Sequence, residues 1–332
     1  MRLFRSNLIK IAVIAIATAV MVAIALYRND LFPGWSEADA LEAVRESAGE
    51  ITRDEQAPGQ PVIGLNFSRM RADDSTLRRI RAFRNLEKLD LSGTLVTDSG
   101  MKELKGFKNL HSLTLYNTNI TDAGMDALSD VTSLRSLDLH FTEVTGAGLA
   151  KLKDLKSLES LDISQAQVTN AGLAELANLA GLRDLVLEYP PIRGEGLRNL
   201  AKVQKLEILS ISGWDLTVAE LKELKTIKHL RSLRLTLSPT GIDPGMTAIA
   251  ELNRLESLHV VGELTDAGIK RLKTMVGLRE LRLRYTEITD AGLMELKGLK
   301  KLESLDLLGC HSITDEGVRR LQAALPNCRI ER

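Results

Sequence analysis

Leucines recur along this chain in two alternating rhythms. Between Leu278 and Leu299, Leu281 and Leu283 alternate with Glu280, Arg282 and Arg284, a spacing of two that predicts a strand with one buried face. Leu293, Leu296 and Leu299 then recur every third residue, the spacing of a short helix with one apolar side. Each unit predicts a strand, a turn, a short helix and a return.

The two rhythms repeat as a block. LEKLDL at Leu86, LHSLTL at Leu110, LRSLDL at Leu134, LESLDI at Leu158, LRDLVL at Leu182, LEILSI at Leu206 and LRSLRL at Leu230 are 24 residues apart. The series continues at Leu255, Leu278 and Leu302, and VIGLNF at Val62 stands 24 residues before Leu86, giving eleven units. No such unit can bury its own apolar face, so stacked neighbours must share one core. The expected fold class is α/β: a parallel sheet, its strands about 4.8 Å apart, on the concave wall of a solenoid whose wider helices lie outside. Three segments follow: residues 1–27, a linker over 28–61, and a repeat domain over 62–332 with a C-terminal cap at 322–332.

The pattern L-x-x-L-x-L-x-x-T-x-I/V-T-D-A-G-L-x-x-L resembles the leucine-rich repeat family, close to its ribonuclease-inhibitor-like and cysteine-containing subtypes. It is also similar to membrane-anchored bacterial proteins with ITDAGL repeats and an LPNC ending, here Leu325 to Cys328. The resemblance implies a curved right-handed horseshoe. Because that family holds inhibitors, receptors, adaptors and adhesins, it implies binding without naming a ligand.

A Thr-Asp pair recurs at one phase, as Thr97-Asp98, Thr121-Asp122, Thr265-Asp266, Thr289-Asp290 and Thr314-Asp315. Catalysis needs carboxylates that converge, whereas equivalent positions of a solenoid spread along its length. The pair therefore reads as a helix start: the threonine hydroxyl accepts a free backbone N–H, and the carboxylate faces the positive helix end. Units with Gly146, Asn170 or Gly194 in place of the aspartate keep a turn former there and share no chemistry.

The N-terminus has a different texture. Arg2, Arg5 and Lys10 precede an uncharged run from Ile11 to Leu26. Taken as one helix, residues 8–27 reach roughly 30 Å, enough for a bilayer core. The basic flank predicts a cytoplasmic N-terminus and an extracytoplasmic repeat domain. Ala23-Ile24-Ala25 keeps open a cleaved signal segment and a secreted or periplasmic product. Beyond it, Ser36 is a candidate N-cap of a short amphipathic helix bearing Leu41, Val44 and Ala48, and Pro58-Gly59-Gln60-Pro61 reads as a turn.

Composition removes several classes of function. Lysine plus arginine equals aspartate plus glutamate at 44 each, so no overall field draws the chain to nucleic acid. Cys310 and Cys328 are too few for a disulfide framework or a zinc site, and their phases in the repeat are too far apart for a bridge. The five histidines are dispersed, and no nucleophile elbow, metalloprotease helix, P-loop or dinucleotide fingerprint occurs. Neither an enzyme nor a cofactor is expected, and two adjacent carboxylates, Asp138 and Asp162, fall short of the ligands that calcium takes.

Outward strand positions remain. They place Asp90, Asp138 and Asp162 toward the N-terminal end, Tyr116, His140, Phe141, Glu188 and Tyr189 centrally, and Arg234, Arg282, Arg284 and Tyr285 toward the C-terminal end. Aromatic anchors between opposite charges suit a protein partner, or an envelope polymer. An adaptor presenting substrates to a ubiquitin ligase is the alternative, although Arg28 to Pro61 hold only one candidate helix where a recruiting domain would be needed, and the apolar run argues against it too.

Overall fold

The computed structural model describes residues 35–189, 194–213, 216–237 and 242–332. The expected membrane span at residues 8–27 and the cleavage alternative near Ala25 lie outside the described residues. Among the described residues no helix is long and apolar enough to cross a membrane.

Thirteen strands form one open sheet in chain order. They are β1 (Glu50–Arg53), β2 (Val62–Asn66), β3 (Lys88–Asp90), β4 (Ser112–Thr114), β5 (Ser136–Asp138), β6 (Ser160–Asp162), β7 (Asp184–Glu188), β8 (Ile208–Gly213), β9 (Ser232–Leu237), β10 (Ser257–Val261), β11 (Glu280–Arg284), β12 (Ser304–Asp306) and β13 (Arg329–Glu331). Pairing is parallel from β2 to β13, and only β1 runs antiparallel, against β2. The register sets Leu65, Leu89, Leu113, Leu137 and Leu161 side by side, and the row continues through Leu281 and Leu305. None of these seven leucines is more than 3% exposed. Each contributes about 1.5–3 kcal/mol of burial, and the core is a single column between sheet and helices.

In five of the strands the end coincides with one outward residue that turns back on the chain, while β4 stops at Thr114 without such a turn among the described residues. Asn66, Asp90, Asp138, Asp162 and Asp306 each turn Oδ1 back to accept the N–H two residues on, from Ser68, Ser92, His140, Ser164 and Leu308, at 2.8 to 3.0 Å. That side-chain turn competes with the sheet ladder, and β2, β3, β5, β6 and β12 all end at this residue. Val186, Ser210, Arg234, His259 and Arg282 do not make it among the described residues, and β7 to β11 run on to five or six residues.

On the opposite side the threonines of the Thr-Asp pairs cap their helices, as Thr121 does by accepting the Ala123 N–H at 3.2 Å. The aspartates do something the sequence reading did not include. Asp98, Asp122, Asp266 and Asp290 reach forward to the next repeat, where Oδ1 accepts the threonine N–H and Oδ2 its hydroxyl, while Asp315, in the last unit, meets Arg332 instead. Asp98 holds Thr121 at 2.9 and 2.7 Å, Asp122 holds Thr145 at 2.8 and 2.6 Å, and Asp266 holds Thr289 at 2.8 and 2.7 Å. The aspartates still stand in the first turn of their own helices, as expected, and the bonds between repeats come in addition. They also explain the glycine two residues after each aspartate, because a Cβ on Gly124, Gly148 or Gly292 would overlap the carboxylate arriving from the repeat before.

This ladder has a gap. Gly146 offers no carboxylate, and the following segment, Gly172–Asn178, is a 3₁₀ helix with no side-chain cap. The two backbones close in, so that a Cβ on Gly146 would lie 2.5 Å from the Gly172 Cα. Thr217 is capped within its own repeat by Glu220, and the ladder resumes where Asp243 holds Thr265.

Both ends of the array are covered. Residues 36–61, read from sequence as linker, form an N-terminal cap: helix Glu37–Glu46 buries Ala40, Ala43 and Val44, and β1 pairs with β2. Without this cap the first repeat would expose the end of the apolar column. The buried face is rotated from the expected one, since Leu41 is half-buried and Ala48 lies beyond the helix at φ 56°. At the other end the last helix spans Asp315–Ala324, and Gln322 Nε2 donates to the carbonyls of Leu325 and Cys328 at 3.0 and 2.9 Å. The closing structure therefore begins ahead of residue 322. Both cysteines are buried free thiols, and Cys310, in the threonine column, donates to the Leu283 carbonyl at 2.8 Å.

Candidate functional site on the outer sheet face

Side chains pointing away from the core form columns across the sheet. The register makes Asn66, Asp90, Thr114, Asp138, Asp162, Val186, Ser210, Arg234, His259, Arg282 and Asp306 successive neighbours. Two residues on, Glu188, Ser212, Thr236, Val261 and Arg284 align in the longer strands. Two residues before the first column, Asp184 and Glu280 also point outward.

The acidic half is only partly committed to the fold. Asp90, Asp138 and Asp162 each use Oδ1 in their turn, which the sequence reading missed, while Oδ2 of Asp138 and Asp162 takes no hydrogen bond among the described residues. No ion pair reaches Asp90, Asp138, Asp162, Asp184 or Glu188 among the described residues. The strand entrances are different, with Arg135–Glu159, Arg183–Glu207, Arg231–Glu256 and Arg279–Glu303 bridging neighbouring repeats. Burial raises the Asp138 pKa above the usual aspartate value, and the charges of Asp162 and Asp90 add to the rise against the His140 N–H. Asp184 is raised the same way, by burial and by Asp162, against a hydrogen bond from Ser160 and the charge of Arg234.

Aromatic side chains flank these carboxylates. Tyr116 and His140 meet with ring centroids 4.8 Å apart at 60°. Phe141, Tyr189 and Tyr285 occupy the turn position after the strand with φ of 58°, 52° and 55°, where Gly93 and Gly309 stand in other units. A left-handed backbone costs a non-glycine residue roughly 1–2 kcal/mol, yet these rings are 54%, 45% and 61% exposed. Phe141 adjoins the Tyr116–His140 pair, and Tyr189 stands two strands on. Tyr285 belongs to the other half, where its ring lies across Gly309 with Cδ1 2.5 Å from where a Cβ would stand.

The expected basic stretch is largely neutralised. Arg282 Nε donates to Glu280 Oε1 at 2.8 Å, and Arg284 donates to Asp306 Oδ2 from Nε and Nη2 at 2.8 and 2.6 Å. Burial works against ionisation of Asp306, but the Leu308 N–H and Arg284 outweigh it and leave its pKa lowered. Arg234 is exposed and has no such partner among the described residues. Asp184, Glu280 and His259 were missed as site residues, although the two-residue strand rhythm places all three on the outer face. Among the described residues no three metal-ligating side chains converge.

The comparisons agree with this architecture. A profile described as Zer-1-like leucine-rich repeats matches residues 77–185, and a leucine-rich repeat profile matches residues 278–297 and 298–321. An internalin from Listeria monocytogenes is 22% identical over 91% of this chain and 89% of its own, with a TM-score of 0.53, and shares the fold. A leucine-rich repeat protein from Leptospira interrogans is 18% identical over 76% of this chain and 74% of its own, at a TM-score of 0.40. No curated protein matches. The unclosed sheet has the architecture of a leucine-rich repeat solenoid, and the two profiles match that repeat over the stretches given.

Proposed function

We propose that this protein is a non-catalytic scaffold held in a membrane by residues 8–27, with its repeats outside the cytoplasm, and that it binds a protein partner on the outer sheet face. The observation that carries the binding reading is the surface from β3 to β7. Carboxylates without ion pairs lie there beside Tyr116, His140 and the exposed Phe141 and Tyr189. Buried carboxylates that repel one another gain from a partner's cations, and aromatic rings add contact area at low entropic cost. The four- to ten-residue helices, often continued by a 3₁₀ turn, support assignment to the ribonuclease-inhibitor-like or cysteine-containing subtypes. The membrane reading rests on the apolar run and its basic flank.

Two experiments test this. Photo-crosslinking of the full chain in cells is expected to capture a partner that is lost when Tyr116, Phe141 and Tyr189 are changed to alanine; unchanged capture refutes the surface. Protease added to cells whose cytoplasmic membrane alone is intact, any outer layer having been opened, is expected to digest the repeats, and full protection refutes the topology.

A further inference from the structure

His259 stands at the centre of an outward row, directly beside Arg234 on β9 and Arg282 on β11. Arg284 lies two residues further along β11, next to Val261. The charged groups facing the imidazole are these three guanidiniums, with Glu280 holding Arg282 and Asp306 holding Arg284. Both ring nitrogens are closed to solvent, and neither has a hydrogen-bond partner among the described residues. Burial first, then Arg234, Arg284 and Arg282, opposed by Asp306, bring the imidazole pKa down to about 4. At neutral pH the ring is uncharged, with one N–H lacking an acceptor in a field that stays positive.

Unpartnered buried polar atoms are uncommon enough to call for a partner. Here the missing group is an acceptor carrying negative charge, since the ring lies beside Arg234, which has no ion pair among the described residues, and beside Arg282, whose charge Glu280 only partly offsets. We propose that Arg234, His259 and Arg282 seat a carboxylate presented by the protein partner of this face. This inference rests on the reading that the outer sheet face is the partner surface. A carboxylate accepts first from the exposed Arg234, the side chains covering the ring draw aside to admit it to the imidazole, and its charge then favours the doubly protonated ring. Nucleic acid fits poorly, because Asp90, Asp138, Asp162 and Asp184 along the same face would repel a continuous phosphate backbone. A polypeptide with basic residues toward β3 and acidic residues toward β11 meets both halves and is fixed in direction.

The test uses the full chain in detergent, labelled with ¹³Cε1-histidine, which gives five histidine signals, with that of His259 assigned by its loss in His259→Gln. Hexaglutamate is expected to move the His259 titration midpoint upward from about 4 toward the ordinary histidine range. Hexalysine is expected to leave it in place. Arg234→Gln, a change at an exposed position, should weaken the hexaglutamate response roughly tenfold. A His259 signal that ignores hexaglutamate overturns the seat, and inorganic phosphate acting as strongly at equal charge overturns its assignment to carboxylate. If crosslinks depend on Tyr116 and Phe141 while His259 ignores hexaglutamate, only the seat fails. Crosslinks that survive those substitutions defeat the partner surface itself.

Discussion

Replacing Asp266 and Gly292 by alanine, singly and together, tests whether the aspartate ladder and its glycine act as one unit. Asp266 accepts the Thr289 N–H at 2.8 Å and the Thr289 hydroxyl at 2.7 Å, and a Cβ on Gly292 would overlap its Oδ1. Hydrogen bonds to a charged group contribute about 1.5–3 kcal/mol each, and water replaces part of that at a half-exposed site. Asp266→Ala should therefore cost about 2 kcal/mol. Gly292→Ala must push the carboxylate off the same two donors, and recovers only about 0.5–1 kcal/mol from the better helix former, so it should cost about 1–2 kcal/mol. In the double variant the overlap with the carboxylate is gone, only a 3.1 Å approach to Ile269 Cγ2 remains, and the helix gain stays. Its cost should fall to roughly 1–1.5 kcal/mol, well below the sum of the single changes. Urea denaturation measures each corner of the cycle, with native-state hydrogen exchange alongside because repeat arrays can unfold in parts. Additivity within about 0.5 kcal/mol would mean that the two residues do not interlock, and the account of the motif would be wrong.

Three further outcomes follow from the same geometry. Leu161→Ala, at a fully buried site on β6, should cost about 2–5 kcal/mol, seen as a lower urea midpoint with an unchanged slope. Asp138 has a raised native pKa, so its contribution to stability is present below the unfolded value of about 3.9 and is lost as pH rises through the native one. Asp138→Asn keeps an acceptor for the His140 N–H, so its urea midpoint should exceed the parent's at pH 7, and the gain should vanish near pH 4; a gain independent of pH contradicts the assignment. With Cys310 and Cys328 only 2% and 3% exposed, a thiol reagent should find both in denaturant and neither in the native protein over the same interval.

The repeat itself determined the core, because a period near 24 with leucines at fixed phases can bury its apolar atoms only by stacking, and local spacing separates strand from helix within each unit. The outward columns were equally legible, since alternation along a strand and a common register leave no other arrangement. Three things were decided only in three dimensions. The aspartates join repeats because the next threonine stands about one strand spacing away, a neighbour that no local pattern reveals. The capping role of residues 36–61 depends on an exposed end of the stack, which exists only once the stack does. Finally, Arg282, Arg284 and His259 look alike as outward polar residues in sequence. Contact separates them, because Glu280 and Asp306 take up the two arginines while the His259 nitrogens are left without a partner.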